Sequence, residues 1–152
     1  MKITSGIWLI NSENKILLLH PTYHPSNFFS IPKGIVDDGE DYFSAAKREL
    51  FEETSIEWDN ISDYITNVEE LSLKKYIGNK KSLKSYIVKC SSTLDFLNIR
   101  CDSMVENHPL SPFPEVDGFI WSSLEDIISS EISLHHSHNM CFKEIYDFLK
   151  RN

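Results

Sequence analysis

The chain reads as an α/β (α+β) protein, a mixed β-sheet lying between helices, and three features predict it. Strand-like apolar runs open the chain, a helical period takes over from Asp41 to Thr54, and further strands precede a helical C-terminal end. With 152 residues, 41% of them hydrophobic, the chain can bury one substantial core, so residues 1–152 are expected to form a single domain.

Ile3 to Ile10 and Lys15 to His20 are apolar-rich and flank the turn-forming Asn11-Ser12-Glu13-Asn14, which predicts an opening hairpin. Phe28 to Gly34 holds a short strand that stops at Pro32. Within Asp41 to Thr54, Phe43, Ala46, Leu50 and Thr54 recur at helical steps and form a core-facing stripe. The preceding Asp37-Asp38-Gly39-Glu40-Asp41 supplies a turn glycine, a capping aspartate and negative charge for the positive end of the helix dipole. Tyr64 to Tyr76 and Leu83 to Cys90 are strand-like, and Gly78-Asn79 between them is a hairpin-turn signal. Residues 91–113, rich in Ser, Asn and Pro, exceed an ordinary connection and are a candidate substrate-facing loop. Gly118 to Ser123 reads as a strand and Leu124 to Ser129 as a short helix. Asn139 to Lys150 reads as a terminal helix with Phe142, Ile145, Tyr146 and Leu149 on one face.

A balance of 15 Lys and Arg against 23 Asp and Glu, formally −8, argues against broad electrostatic binding to DNA, RNA or acidic membranes. No run approaches the roughly 18 apolar residues that span a bilayer. The first apolar run ends at Ile10 with neither a long hydrophobic region nor a small-residue cleavage site, so a cytoplasmic protein is expected. Cys90, Cys101 and Cys141 lie far apart without metal or redox spacing and read as reduced thiols.

The chemistry concentrates in Arg48 to Ile56. On a helix Glu49 and Glu53 stand at i,i+4 and Glu49 and Glu52 at i,i+3, so the carboxylates share a face. Each like-charge pair costs about 0.2–0.5 kcal/mol. That crowding beside the apolar Leu50 predicts something positive among the carboxylates.

Gly34, Glu40 after five residues, Arg48-Glu49-Leu50 after seven more, then Glu52-Glu53 and Ile56 form a long spaced pattern. In this pattern the chain resembles the Nudix hydrolases, departing only at Ser55, where the family usually has glycine. The resemblance implies a Nudix-fold α/β/α sandwich with Mg²⁺ or Mn²⁺ as cofactor. It also implies Glu49 and Glu53 as main metal ligands, Glu52 and the Gly34 carbonyl as further ones, and Arg48 orienting the carboxylates. Hard divalent cations prefer such oxygen donors, and they lower the pKa of bound water. If position 55 requires positive φ, Ser costs more there than Gly.

Phe113 to Trp121 resembles a segment of bacterial RNA pyrophosphohydrolases and their diadenosine-polyphosphate-cleaving relatives, which implies Glu115 as an extra metal ligand or base. Lys33 directly before Gly34 resembles Nudix enzymes acting on dinucleoside polyphosphates or diphosphoinositol phosphates. Lys33 is therefore a phosphate contact or a solvated strand-end lysine.

Other signals are weaker. His135, His136 and His138 read as a solvated helix start rather than a metal cluster. His20 and His24 are phosphate donors or polar loop residues. Lys74, Lys75, Lys80, Lys81 and Lys84 form an exposed basic hairpin or a patch for an RNA 5′ end. Tyr23, Phe28, Phe29, Tyr76 and Phe113 are core aromatics or base-stacking platforms, with Tyr23 and Phe113 the leading platforms.

Together these imply a metal-dependent hydrolase of a nucleoside diphosphate linked to another group. A dinucleoside polyphosphate such as diadenosine tetraphosphate leads. A 5′-triphosphorylated RNA end follows, then ADP-ribose or nucleotide sugars, then nucleoside triphosphates. A non-catalytic nucleotide sensor is the competing class. The expected partner is a nucleotide-derived small molecule or an RNA 5′ end, with no DNA and no membrane; oligomeric state is not legible.

Overall fold

The computed structural model describes every residue except Met1, Ile77 and Asn79, so the Asn79 half of the expected turn lies outside the described residues. The opening hairpin forms from β1 (Lys2–Ile10) and β2 (Lys15–Pro21). Asn11 Oδ1 accepts from the N–H groups of Glu13 and Lys15 at 3.0 Å, and Asn14 adopts a left-handed φ of 58°. Asparagine closes the turn because its side chain bonds local backbone and it tolerates positive φ.

After β3 (Phe28–Phe29), the chain does not stop at Pro32 but resumes as β4 (Lys33–Ile35). β4 runs beside the first half of β1, pairing Thr4 with Ile35, Ser5 with Gly34 and Gly6 with Lys33. This pairing carries Gly34 to the helix that follows. α1 (Tyr42–Thr54) begins where Asp41 Oδ1 accepts the Ser44 N–H at 2.8 Å, as its capping role predicted.

α2 (Trp58–Ile61) and a 3-10 turn lead into β5 (Ile65–Glu70) and β6 (Lys74–Tyr76). The expected continuous strand is thus broken at residues 71–73, where Leu71 still donates its N–H to the Ser85 carbonyl at 2.9 Å and buries its side chain. β7 (Lys81–Cys90) runs parallel to β1 from Lys2↔Lys81 to Ile10↔Lys89, which makes the sheet mixed. Within residues 91–113 a short ladder forms, β8 (Met104–Val105) against β9 (Phe113–Pro114). β10 (Val116–Ser123) pairs with β2, completing the order β10-β2-β1-β7-β5.

The sheet is apolar on both faces. Ile7, Leu9, Leu17 and Leu19 pack with Ala46, Leu50, Ile56 and Ile61 of the α1–α2 layer. Trp8, Ile10, Ile16 and Leu18 face the opposite layer. That layer holds α3 (Leu124–Ser129), α4 (His136–Asn139) and α5 (Phe142–Arg151), joined by the short β11 (Ser133–Leu134). Double-sided burial explains why these strands read as continuous apolar runs.

Two expectations at the C-terminal end need correction. α5 starts at Phe142, not Asn139, and buries Ile145 and Phe148 while Tyr146 stays 50% exposed. His135 caps α4 and His136 is exposed as a solvated helix start would have it, but His138 is fully buried. Ser30 Oγ at 3.3 Å and Ser137 Oγ at 3.2 Å occupy its ring nitrogens, which lowers the cost of burying the imidazole.

Candidate active site

Gly34 and Glu49 are in intimate contact because β4 packs onto α1. A Cβ at Gly34 would stand 2.1–2.3 Å from the Glu49 carboxylate atoms, so only glycine lets this carboxylate approach the strand.

One cation among the crowded glutamates is the Arg48 guanidinium, which reaches Glu49 and Glu52 but not Glu53. Its Nε and Nη2 grip Glu40 at 2.9 and 3.0 Å, and its Nη1 donates to Glu49 at 3.0 Å and Glu52 at 3.1 Å. A further bond to the Ile35 carbonyl at 3.1 Å ties α1 to β4. The planar fork fixes several carboxylates at once, as a lysine could not.

Glu53 accepts the Lys33 N–H at 2.9 Å and is otherwise desolvated. Burial pushes its carboxyl well above the usual range against that hydrogen bond, and Glu49 and Glu115 push the same way. Burial, then Glu52, raise Glu49 to about 7 against the pull of Arg48, with Glu115 adding to the rise. Glu49, Glu53 and Glu115 therefore share one electrostatic neighbourhood. Among the described residues no three such side chains converge in a finished metal cage. Glu49 and Glu52 turn to Arg48, and Glu53 turns to the Lys33 backbone.

A cavity of about 580 Å³ opens beside these carboxylates, with Glu53 and Glu115 in its wall. Tyr23, His24, Lys33 and Phe113 line it too, so these four substrate-contact candidates reach one space. Tyr23, 64% exposed, meets Phe113 edge-on at 4.7 Å, and His24 stacks on Phe28 at 5.3 Å. Thr22 Oγ1, on the same wall, is buried with no hydrogen-bond partner among the described residues.

Other candidates fall elsewhere. His20 lies outside this lining, bound to Asp117 and the Pro25 carbonyl. Two of the five lysines of the basic hairpin are ion-paired, Lys74 with Glu144 and Lys84 with Glu70, while Lys81 lines the cavity. Ser55 does take a left-handed φ of 66°, and its Oγ donates to the Arg100 carbonyl at 2.7 Å. Sequence reasoning missed His135 as a cavity residue. No periodicity marks it, because its approach to Lys33 and Lys81 is purely tertiary.

A mixed sheet between helices, with this glycine, arginine and glutamates at one strand–helix junction, defines the Nudix architecture. The NUDIX domain profile matches residues 2–143, and the chain belongs to that family. An RNA pyrophosphohydrolase of Pelagibacter ubique is 49% identical over 51 residues, 34% of this chain and 32% of that protein. Another from Bradyrhizobium sp. is 43% identical over 56 residues, 34% of this chain and 33% of that protein. The aligned part thus spans about a third of these curated relatives. Across the whole of both chains the fold superimposes on a Caenorhabditis elegans Ap4A hydrolase with TM-score 0.64 and 24% identity. No described helix is long and apolar enough to cross a membrane.

Proposed function

We propose that the chain is a single-domain, metal-dependent hydrolase that cleaves a phosphoanhydride bond in a nucleoside diphosphate linked to another group. A dinucleoside polyphosphate such as diadenosine tetraphosphate is the preferred substrate. The observation that carries this reading is the single cavity that joins Glu53 and Glu115 to Lys33, Lys81 and the Tyr23–Phe113 rings. It offers acidic, cationic and aromatic groups in one space, as a metal-bound polyphosphate with a nucleobase requires.

The residues fit a divalent ion. Glu49 and Glu53 are desolvated carboxylates whose carboxyls are pushed up despite the Arg48 bond to Glu49, and the missing side chain at Gly34 lets the Glu49 carboxylate lie against the strand. Glu49, Glu52, Glu53, Glu115 and the Gly34 carbonyl would hold Mg²⁺ or Mn²⁺, which when bound neutralises phosphate charge and supplies activated water. Arg48 keeps Glu49 and Glu52 oriented. Glu115, whose carboxylate has no hydrogen-bond partner among the described residues, would serve as a further ligand or as the base that takes the proton of the attacking water. Lys33 and Lys81 neutralise phosphates away from the cleaved bond, and Tyr23 and Phe113 contact the base. Thr22 Oγ1, unpartnered among the described residues, gains a hydrogen bond from the substrate.

The second reading, a 5′-triphosphorylated RNA end, is favoured by the names of the partial relatives. Against it, Lys74 and Lys84 are already ion-paired and the net charge of −8 opposes a long polyanion.

Product analysis in ¹⁸O-labelled water tests both readings, using diadenosine tetraphosphate, triphosphorylated RNA, ADP-ribose, a nucleotide sugar and nucleoside triphosphates with Mg²⁺. Fastest turnover of the dinucleotide is expected, and faster turnover of RNA ends reverses the ranking. No turnover of any substrate, with binding intact in Glu53→Gln, identifies a nucleotide sensor instead.

A further inference from the structure

His135 immediately precedes α4 and its Nδ1 accepts the backbone N–H of Ser137 at 3.1 Å. A backbone N–H can only donate, so Nδ1 carries no proton, and the neutral ring holds its hydrogen on Nε2. Nε2 has no hydrogen-bond partner among the described residues, although His135 lines the large cavity. The ring is held edge-on to Tyr76 at 4.7 Å, and the Tyr76 hydroxyl lies 3.3 Å from Thr4 Oγ1. The imidazole is therefore a donor with one fixed direction.

Its surroundings are cationic. Burial first, then Lys33, His136 and Lys81, hold His135 below its ordinary pKa, so the ring is uncharged near neutral pH. A lysine ammonium neutralises charge from many directions, whereas an imidazole N–H selects one acceptor.

We infer that His135 donates its Nε2–H to a phosphate oxygen of the bound substrate, on the lysine side of the cavity, and so sets the register of the phosphate chain. The inference rests on the phosphoanhydride reading for the identity of the anion. His135 then contributes direction where Lys33 and Lys81 contribute charge, and it makes the site sensitive to the number of bridging phosphates.

Two substitutions separate this role from capping. In His135→Asn the Oδ1 still accepts the Ser137 N–H, but the shorter side chain withdraws the donor. In His135→Gln the longer amide restores a donor near the position of Nε2. His135→Asn should raise KM for diadenosine tetraphosphate by about 10- to 100-fold, the effect of one hydrogen bond to a charged group. It should also flatten the preference among tri-, tetra- and pentaphosphate bridges, and His135→Gln should recover most of both.

A direct readout is ¹⁵N NMR of the imidazoles in the full chain. The free protein should show the Nε2–H tautomer for His135. Methylenediphosphonate with Mg²⁺, whose P–C–P bridge resists hydrolysis, should shift Nε2, and adenosine alone should not. An Nδ1–H tautomer, no response to methylenediphosphonate, a response to adenosine alone, or a His135→Asn variant equal to the parent each overturns the inference. A protein that hydrolyses nothing but still shows the methylenediphosphonate shift keeps this phosphate contact and loses the hydrolase reading. A protein that hydrolyses without that shift does the reverse.

Discussion

His20 Nδ1 lies 2.5 Å from Asp117 Oδ1, while its Nε2 lies 3.0 Å from the Pro25 carbonyl oxygen. Both partners accept, so both ring nitrogens must donate and His20 is an imidazolium. The Asp117 hydrogen bond raises its pKa against the opposing effect of burial, with the Pro25 bond assisting. This cation ties β2 to β10 and to the Pro21–Phe28 segment that carries Tyr23 and His24.

His20 therefore stabilises the fold fully below its unfolded pKa of about 6.5, and that contribution disappears as pH rises through the higher folded value. Urea midpoints between pH 6 and 9 should fall on the alkaline side, and His20→Gln should remove that limb. An NMR titration should place His20 above 6.5.

His138 has the opposite sign. Burial first, then Lys33 and His135, hold it well below 6.5, so it is neutral in the folded state near neutral pH and takes a proton more readily once unfolded. Its contribution is complete above the unfolded pKa and is lost as pH falls below it, with a limiting slope of about 1.4 kcal/mol per pH unit. His138→Gln should flatten the acid limb of the same urea series, whatever its effect at pH 7.

Gly34→Ala should leave the fold largely intact, because the atoms in its way are the end of the flexible Glu49 side chain. The displaced carboxylate should cost activity about 100-fold, as misplacement of a reacting group does. Turnover and Tm measured on one preparation separate the two effects.

Arg48→Lys keeps the charge and loses the fork that holds Glu40, Glu49 and Glu52. Mg²⁺ affinity and turnover should each fall by about 10- to 100-fold. A metal titration against rate reads both.

Ser55 balances a left-handed backbone against its bond to Arg100. Ser55→Ala keeps the strain and loses the bond, so it should destabilise by about 1 kcal/mol. Ser55→Gly relieves strain while losing the same bond and should be close to neutral, as paired Tm measurements would show.

Local chemistry was legible along the chain. A capping aspartate, a helical stripe through Ala46 and Leu50, and glutamates at i+3 and i+4 act through residues a few positions apart. Repulsion among those glutamates is itself a local quantity, so the sequence alone demanded a neighbouring cation. It also held the family signature, since the spacing from Gly34 to Ile56 is a property of one strand, one turn and one helix.

What the sequence left open depended on distant segments. Ser55 shows it best, since its backbone cost was foreseeable while the Arg100 carbonyl that offsets it lies 45 residues away. Lys74 and Lys84 looked free until β6 and β7 brought them to Glu144 and Glu70. The histidine run divided in the same way: His136 stayed exposed, His138 entered the core and His135 turned to the cavity. The sequence determined which groups this protein has and their spacing on each element. Only the tertiary structure decided which of their charges and hydrogen-bonding atoms remain available, because desolvation and pairing act across segments that sequence order does not bring together.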